Sequence, residues 1–388
     1  MHSGQPEDAA PLPAAVPLAL YIHLPWCVRK CPYCDFNSHT TEALPETTYV
    51  DALLRDLDAD LAWFAERPVQ SIFFGGGTPS LFSGAAIRRV LEGVAASARL
   101  APDIEITLEA NPGTVDEAHF AAYREAGVNR LSLGVQSLQD ASLSRLGRVH
   151  GAADARRAVA VARRTGFTNL NLDLMYGLPG QAPGGMLDDL QAVLALEPSH
   201  LSWYQLTLEQ GTAFARHPPA LPASDRIADE AEAGLHALAQ AGFTRYEVSA
   251  YAREGAQCRH NLNYWRFGDY AGLGAGAHGK LTTPEGLLRT RKRIHPQAYM
   301  KEAGAAAREV TSVGRADLVI EFMLNALRLS AGFELALFTA RTGLPASALE
   351  PALGKAIHHG WLTLDHGRIT PTALGYRFLN DLQLLFLP

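Results

Sequence analysis

Apolar, β-rich runs alternate with amphipathic stretches of helix length up to about residue 250, and this alternation restricts the fold more than any other feature of the sequence. The predicted strands are residues 18–23, 71–74, 104–109, 130–135, 169–175, 200–207 and, on a weaker pattern, 245–251. The predicted helices are residues 47–66, 85–98, 116–126, 152–164, 186–196 and 225–241. Strands that alternate with helices form right-handed βαβ units and a parallel sheet, so six or seven such units predict an α/β fold with a full or partial barrel.

Polar residues and glycines follow these strands at their carboxyl ends, where barrels of this type carry their chemistry. Each one alone would be typical of a cap or a turn, but their repetition on consecutive strands predicts one shared site. The residues concerned are Gly75, Gly76, Gly77, Thr78, Glu109, Gln136, Asp173, Gln205 and Thr207. Glycines would let a ligand approach the backbone closely. Glu109 is read either as an acceptor for a ribose or amine or as a surface acid, and Arg148 either as a partner for a carboxylate or as a solvated arginine.

Three of the four cysteines lie in the spacing C-x3-C-x2-C directly after the first strand, at Cys27, Cys31 and Cys34. Closely spaced thiolates suit a soft metal centre. An iron-sulfur cluster normally takes four cysteines, so three would leave one iron with an open position. A structural zinc site would need His23, His39 or Cys258 as its fourth ligand. A disulfide is disfavoured, because an odd local number of cysteines without an export signal is not a secreted scaffold.

Composition and charge restrict the classes of partner that the protein can bind. The chain of 388 residues is 47% hydrophobic, enough for a large core, and its formal charge of -6 gives no basic footprint for nucleic acid. Residues 1–16 contain no lysine or arginine, which predicts a disordered Ala/Pro-rich arm rather than a signal peptide. No apolar run reaches the roughly 18 residues of a membrane span. We therefore expect a cytoplasmic protein with no nucleic-acid partner.

The pattern changes at Cys258, near the start of residues 256–314, the segment predicted to connect two domains. His260, followed by Tyr264 and Trp265, is read either as a ligand for a metal or haem iron, with the aromatic rings covering an apolar macrocycle, or as a structural histidine. The glycines at 274, 276 and 279 match a dinucleotide fingerprint only in spacing, because no predicted strand precedes them and no helix follows. The basic cluster at residues 288–295 would bind propionates, phosphates or an acidic partner, or form a solvated turn.

The pattern of residues 315–388 predicts two or three helices, then a hairpin over 361–369 that turns at Asp365, His366 and Gly367, and then a helix from Thr372. This order is typical of a winged-helix-like domain. The segment carries six basic and six acidic residues, so DNA binding lacks electrostatic support. We expect a module for packing or for docking a partner.

The sequence from residue 17 to residue 388 resembles the radical S-adenosylmethionine (SAM) superfamily, in particular the coproporphyrinogen dehydrogenase-like branch with its haem chaperones. The resemblance is carried by the segments YIHLPWCVRKCPYCDFNSH, GGGTPSL, EANPGTV, GVNRLSLGVQS, NLDLMYGLPGQ, HLSWYQLTLE and HNLNYWRFGDY. It implies a partial (β/α)6 radical SAM TIM-like barrel over residues 17–255 and a mostly helical, winged-helix-like C-terminal domain over 315–388. It also implies a 4Fe-4S cluster on Cys27, Cys31 and Cys34. The positions that it implies for SAM binding are Tyr21, Gly76, Gly77, Thr78, Glu109, Gln136, Arg148 and Asp173.

Two departures separate this chain from the dehydrogenases of the branch. Those enzymes carry a further cysteine where this chain has Phe36, and they have a longer N-terminal arm. The HNxxYW motif of the haem chaperones is present from His260 to Trp265. The resemblance therefore implies a chaperone that binds haem through His260 and passes it to respiratory haem proteins. Homodimerisation and peripheral membrane association are compatible with that role. The alternative is an oxygen-independent coproporphyrinogen III dehydrogenase that uses radical chemistry.

Overall fold

A computed structural model describes residues 16–64 and 67–388. The predicted arm therefore lies outside the described residues except for Val16, which is buried in the core and does not belong to a disordered arm. Glu66, the predicted end of the first helix, also lies outside them.

The described strands are numbered in chain order. They are β1 (Leu18–Leu24), β2 (Trp26–Cys27), β3 (His39–Thr40), β4 (Val69–Gly76), β5 (Leu100–Ala110), β6 (Arg130–Gln136), β7 (Asn169–Tyr176), β8 (His200–Gln205), β9 (Thr244–Arg245), β10 (Ala250–Ala252), β11 (Asp269–Leu273), β12 (His278–Thr283), β13 (Gly286–Lys292), β14 (Arg308–Ser312), β15 (Phe333–Glu334), β16 (Leu362–Asp365) and β17 (Arg368–Pro371).

The α-helices, likewise in chain order, are α1 (Glu46–Asp60), α2 (Gly84–Ser97), α3 (Glu117–Ala126), α4 (Asp140–Arg145), α5 (Ala152–Arg164), α6 (Gly185–Leu194), α7 (Ala213–Arg216), α8 (Ser224–Gln240), α9 (Arg259–Trp265), α10 (Pro296–Glu302), α11 (Leu318–Ala326), α12 (Leu335–Thr342), α13 (Ala352–His358), α14 (Ala373–Arg377) and α15 (Leu379–Leu384). A 3-10 turn, Leu61–Trp63, continues α1.

Six strands form the predicted parallel sheet in the order β1, β4, β5, β6, β7, β8, with helices between them. Neither outer strand closes the ring, because β1 also pairs with β11 and β8 pairs with β10. The prediction of a partial (β/α)6 barrel is therefore confirmed. Helix boundaries follow local chemistry: the Ser83 hydroxyl accepts a hydrogen bond from Ala86 N at the start of α2, and Gly127 ends α3 in a left-handed conformation at φ 110°.

Side chains alternate between two environments along the parallel strands. Apolar residues such as Leu131, Leu172 and Leu201 face the helices and are fully buried in the main core. The intervening residues face the barrel interior and are mostly polar, as with Ser132 and Asp173. The alternation therefore supplies both the core outside the barrel and the polar lining inside it.

Two predictions downstream of the barrel were wrong. Residues 245–251 do not form one parallel strand; β9 and β10 are short antiparallel strands that follow the sheet edge at β8. The basic cluster at residues 288–295 does not form a solvated turn. Its member Lys292 is fully buried and ion-paired with Asp56 and Asp60 of α1. Strands β11 to β14, which lie in the segment predicted as a connection, extend the barrel sheet.

The C-terminal module has the predicted order of helices, hairpin and helix, with β16 and β17 as the hairpin and β15 as an added third strand. It builds its own apolar core around Phe322 and Phe338. Phe267, next to α9, packs edge-on against Phe322 at 5.5 Å between ring centroids. Arg328 lies over the ring of Trp265 at 4.3 Å, so the module packs directly against α9.

Candidate functional site

A cavity of about 450 Å³, here called the cysteine-side cavity, lies beyond the carboxyl ends of the parallel strands. It gathers most of the residues predicted for a shared site: Cys27, Cys31, Cys34, Gly77, Thr78, Glu109, Gln136, Arg148, Asp173, Gln205 and Thr207. Tyr21 does not line it and instead faces a second cavity described below. Gly76 is buried behind the cavity, against the ring of His23.

The cysteine loop is closed at its base by a short parallel bridge in which Trp26 pairs with His39 and Cys27 with Thr40. Within the loop, Cys34 N donates to Cys31 O at 3.2 Å. The loop is fastened to the barrel by Arg29, whose Nη2 donates to the carbonyl oxygen of Arg148 at 2.9 Å. The backbone therefore turns the three thiols towards one cavity.

All three thiols are free and only partly exposed. The Thr78 hydroxyl donates to Cys27 Sγ at 3.4 Å, and Arg148 Nη1 donates to Cys31 Sγ at 3.7 Å. Burial raises the pKa of Cys27, and the hydrogen bonds from Thr78 and Ser38 oppose that change. A guanidinium and a hydroxyl directed at sulfur are suited to stabilise bound thiolates.

This donor set fits an iron-sulfur cluster. Within residues 16–64 and 67–388, no three His, Cys, Asp or Glu side chains converge closely enough to hold one metal ion. A cluster binds its cysteines through separate irons, so thiols spread around a cavity suit it. The fourth cysteine, Cys258, is remote and fully buried, and its Sγ donates to Glu105 at 3.5 Å. Cys27, Cys31 and Cys34 would hold the cluster, which supplies an electron and an open iron position when bound.

The glycine segment fits closely under the cysteine loop. A Cβ on Gly77 would lie 2.6 Å from the Trp26 carbonyl oxygen, and Gly76 adopts φ 114°. Gly77 N donates to Leu24 O at 2.8 Å and Thr78 N to Trp26 O at 2.7 Å. The absence of side chains at 76 and 77 therefore lets two backbone segments meet at the wall of the cavity.

Two partly buried carboxyl groups, Glu109 and Asp173, line the cysteine-side cavity. Burial, assisted by the negative charge of Asp173, raises the pKa of Glu109 to about 8, against the opposing effects of the Gly76 N–H and Arg130. Burial also raises the pKa of Asp173, while hydrogen bonds from Asn171 and Ser202 oppose the change. Glu109 is therefore mostly protonated at neutral pH, and a positively charged ligand would favour its ionised form.

The Gln136 side chain is held by Tyr204, which the sequence did not predict at the site. Its backbone has φ 67°, outside the usual range for a side-chain-bearing residue, and its Oε1 accepts a hydrogen bond from Tyr204 Oη at 2.8 Å. Tyr204 lies on β8 with His200 and Ser202 at every second position facing the interior. This period of two was the sequence signal that could have placed Tyr204 at the site.

His260 lies in a different part of the barrel. Helix α9 covers the amino-terminal halves of the strands, and Glu105 of β5 accepts hydrogen bonds from Arg259 N and His260 N, each at 3.2 Å. The His260 ring stacks on Phe73 at 5.0 Å, and its Nδ1 lies 3.1 Å from Ser71 Oγ. The side chain is 2% exposed, so the described conformation does not offer it to solvent.

A second cavity of about 270 Å³, here called the inner cavity, lies between α9 and the cysteine-side cavity. Its lining consists of Tyr21, Phe73, Glu109, Arg130, Ser132, Asn171, Asp173, His200, Ser202, His260, Asn261 and Tyr264. Four of these residues, Glu109, Ser132, Asp173 and Ser202, also line the cysteine-side cavity. His260 Nε2 has no hydrogen-bond partner among the described residues. Burial and Arg130 lower the pKa of His260 to about 3, so the imidazole is neutral, the form that binds metals.

Comparisons with known proteins show the family to which the chain belongs. The model of the radical SAM superfamily matches residues 21–193, and that of the HemN C-terminal domain matches residues 314–378. The haem chaperone HemW of Escherichia coli (strain K12) is 50% identical over 96% of this chain and 98% of its own length. The chain belongs to the radical SAM superfamily, in the HemW family. Radical S-adenosyl methionine domain-containing protein 1, mitochondrial, of Mus musculus is also similar, at 39% identity over 99% of this chain and 90% of that relative.

A solved structure with the same overall fold is the coproporphyrinogen III oxidase HemN of Escherichia coli, described as a radical SAM enzyme. It superposes with a TM-score of 0.80 and covers 96% of this chain and 90% of its own. Its sequence identity is 23%, so it confirms the mixed α/β barrel with a helical C-terminal region and no more. In the part of the chain that the structure describes, no helix combines the length and apolar character of a membrane span.

Proposed function

We propose that this chain is a cytoplasmic haem chaperone that binds one haem and passes it to acceptor haem proteins, among them respiratory ones. The observation that carries the proposal is the 50% identity with the haem chaperone HemW over almost the full length of both chains. The HNxxYW motif at His260 to Trp265 supports it, because the motif provides a histidine with a free, neutral Nε2 beside aromatic rings.

A 4Fe-4S cluster on Cys27, Cys31 and Cys34 and SAM beside it are part of the proposal. The three thiols and the strand-end residues share one cavity, and Glu109 there would pair with a positively charged group. Gly77, Thr78, Gln136, Arg148 and Asp173 line the same cavity. We propose these residues, with Tyr21 and Gly76 behind them, as the SAM site.

His260 is the proposed ligand of the haem iron, and this role requires α9 to move. The inner cavity of about 270 Å³ is too small to enclose a macrocycle with its side chains. Helix α9 spans seven residues and rests on Glu105, Phe73 and the C-terminal module. Displacing it would expose His260 on the side of the barrel remote from the cysteines.

Haem titration of the reconstituted, SAM-bound protein tests the ligand. We expect His260→Ala to lower the affinity by about 10-fold or more and to change the Soret band, since an axial iron bond is lost. His366→Ala is a matched control, because that side chain is 96% exposed on the C-terminal hairpin. Equal tight binding by wild type and His260→Ala would remove His260 as the ligand.

Transfer tests the chaperone role itself. The haem-loaded chain is mixed with the apo form of a b-type cytochrome, and transfer is followed by the acceptor's absorption band. Failure of the wild-type chain to bind or deliver haem would overturn the proposal. Anaerobic incubation with SAM and coproporphyrinogen III should give no protoporphyrinogen; formation of that product would identify a dehydrogenase instead.

A further inference from the structure

Arg130 is a buried cation at the amino-terminal end of β6 whose charge lacks a paired carboxylate. The side chain is 2% exposed, and its Nε has no hydrogen-bond partner. Among the described residues, Arg130 forms no ion pair with a carboxylate within 4 Å, and the charges of Glu105 and Asp173 act on it from farther away. Burying an unpaired guanidinium costs free energy, so a complementary anion would be strongly favoured there.

The acidic groups nearest to Arg130 are already engaged. Glu105 accepts hydrogen bonds from Cys258 Sγ, Arg259 N and His260 N at the start of α9. Asp173 accepts a hydrogen bond from Asn171 Nδ2 at 2.7 Å. Glu109, which shares the lining of the cavity with Arg130, accepts a hydrogen bond from Gly76 N–H. These carboxyl groups therefore act on Arg130 only at longer range, and none of them occupies its hydrogen-bonding groups.

Arg130 opens into the inner cavity, together with the unpartnered Nε2 of His260. Ser132 and Asn261 add further polar groups to the lining. The cavity of about 270 Å³ can take a carboxylate on a short arm but not a whole cofactor. Because it shares a wall with the cysteine-side cavity, such an arm can reach it from there or from beneath α9.

We propose that the inner cavity is a carboxylate-binding site in which Arg130 is the binding cation. The source of the carboxylate is a propionate of haem. The inference therefore rests on the proposed function. An arginine holds a carboxylate by two parallel N–H···O bonds, so the site should select for the anion strongly.

Paired ligands that differ only in the carboxylate test the site. Haem is compared with its dimethyl ester by Soret titration of the cluster-reconstituted protein. Wild type should prefer the carboxylate form by about 10- to 100-fold. Arg130→Met should abolish that preference, and Arg130→Lys should keep a part of it.

Arg226→Met is the matched control, because Arg226 also has an unpartnered Nε but lies on α8, outside the lining of both cavities, with Glu230 at 3.7 Å. It should leave the preference for the carboxylate form unchanged. Folding of each variant is checked by circular dichroism; if Arg130→Met does not fold, a several-fold loss of preference in Arg130→Lys takes its place as the criterion. Equal affinity of wild type for haem and its ester, or an unchanged preference in the folded Arg130 variant, would overturn the site and leave the proposed function standing. If wild type binds neither haem form, the proposed function fails and the site fails with it.

Discussion

Replacing Glu109 by glutamine should remove a pH-dependent loss of stability from the ligand-free protein. Burial raises the pKa of this carboxyl group from its ordinary value of 4.5 to about 8 in the folded chain. Between these two pH values the folded state keeps a proton that the unfolded chain has released. Raising the pH through this interval therefore lowers the free energy of unfolding, and the loss is complete once the pH exceeds about 8.

The size of the stability loss follows from the width of the pH interval between the ordinary and the raised pKa of Glu109. At about 1.36 kcal/mol for each pH unit, the loss amounts to at most about 5 kcal/mol. Glutamine has nearly the same shape but does not ionise, so the variant should match the wild type near pH 4.5 and exceed it increasingly up to about pH 8. Because Asp173 contributes to raising the pKa of Glu109, Asp173→Asn should narrow the pH interval and so reduce the total loss of stability.

Urea unfolding of the reduced, cluster-free protein at about pH 5.5 and about pH 8.5 measures this difference. Ionisation of the cysteines affects wild type and variant alike and cancels in the comparison. Glu92→Gln is the control, since Glu92 is exposed on α2 and should give the same difference at both pH values. A stability gap between wild type and Glu109→Gln that does not grow with pH would refute the assignment of a raised pKa to Glu109.

Three further substitutions test how the site is supported. Gly77→Ala should lower the melting temperature and the iron content after reconstitution, because its Cβ would lie 2.6 Å from the Trp26 carbonyl oxygen; Gly354→Ala, which meets only the flexible Glu350 side chain, should do neither. Lys292→Met should cost about 3–5 kcal/mol in urea unfolding, because it leaves Asp56 and Asp60 buried without their shared cation. Arg291→Met, which breaks an exposed ion pair with Glu309, should cost less than about 1 kcal/mol. Arg328→Ala should speed amide hydrogen exchange in α9, because the cation over Trp265 is lost, whereas the exposed Arg377→Ala should not.

The parallel barrel could be predicted from sequence because its signals are local. Each strand is a short apolar run, each helix has a 3.6-residue period, and glycines such as Gly127 mark where a helix ends. The convergence of Cys27, Glu109 and Asp173 also followed, since the carboxyl ends of parallel strands meet at one end of a barrel. These predictions needed no knowledge of contacts between distant segments.

The sheet extension and the inner cavity could not be predicted in this way. Strands β12 and β13 carry charged residues, and Lys292 is buried only because Asp56 and Asp60, more than 200 residues earlier in the chain, pair with it. Arg130 looked like an ordinary first residue of a strand. That it lies in a cavity follows from how α9 packs over the strands, a long-range contact that no local pattern reveals.

Glu109 lines both cavities, so its charge couples the binding of a ligand in one cavity to the binding of a ligand in the other, and the direction of this coupling can be predicted. A positively charged ligand in the cysteine-side cavity favours the ionised form of Glu109 and so places a negative charge on the wall that also faces Arg130. That charge competes with an anion in the inner cavity, so each ligand should weaken the other, by the same factor in both directions. Measuring the affinity for SAM with and without saturating haem tests the coupling, and Glu109→Gln should abolish it. Mutual strengthening, or coupling that persists in Glu109→Gln, would show that the two ends of the barrel communicate through another group.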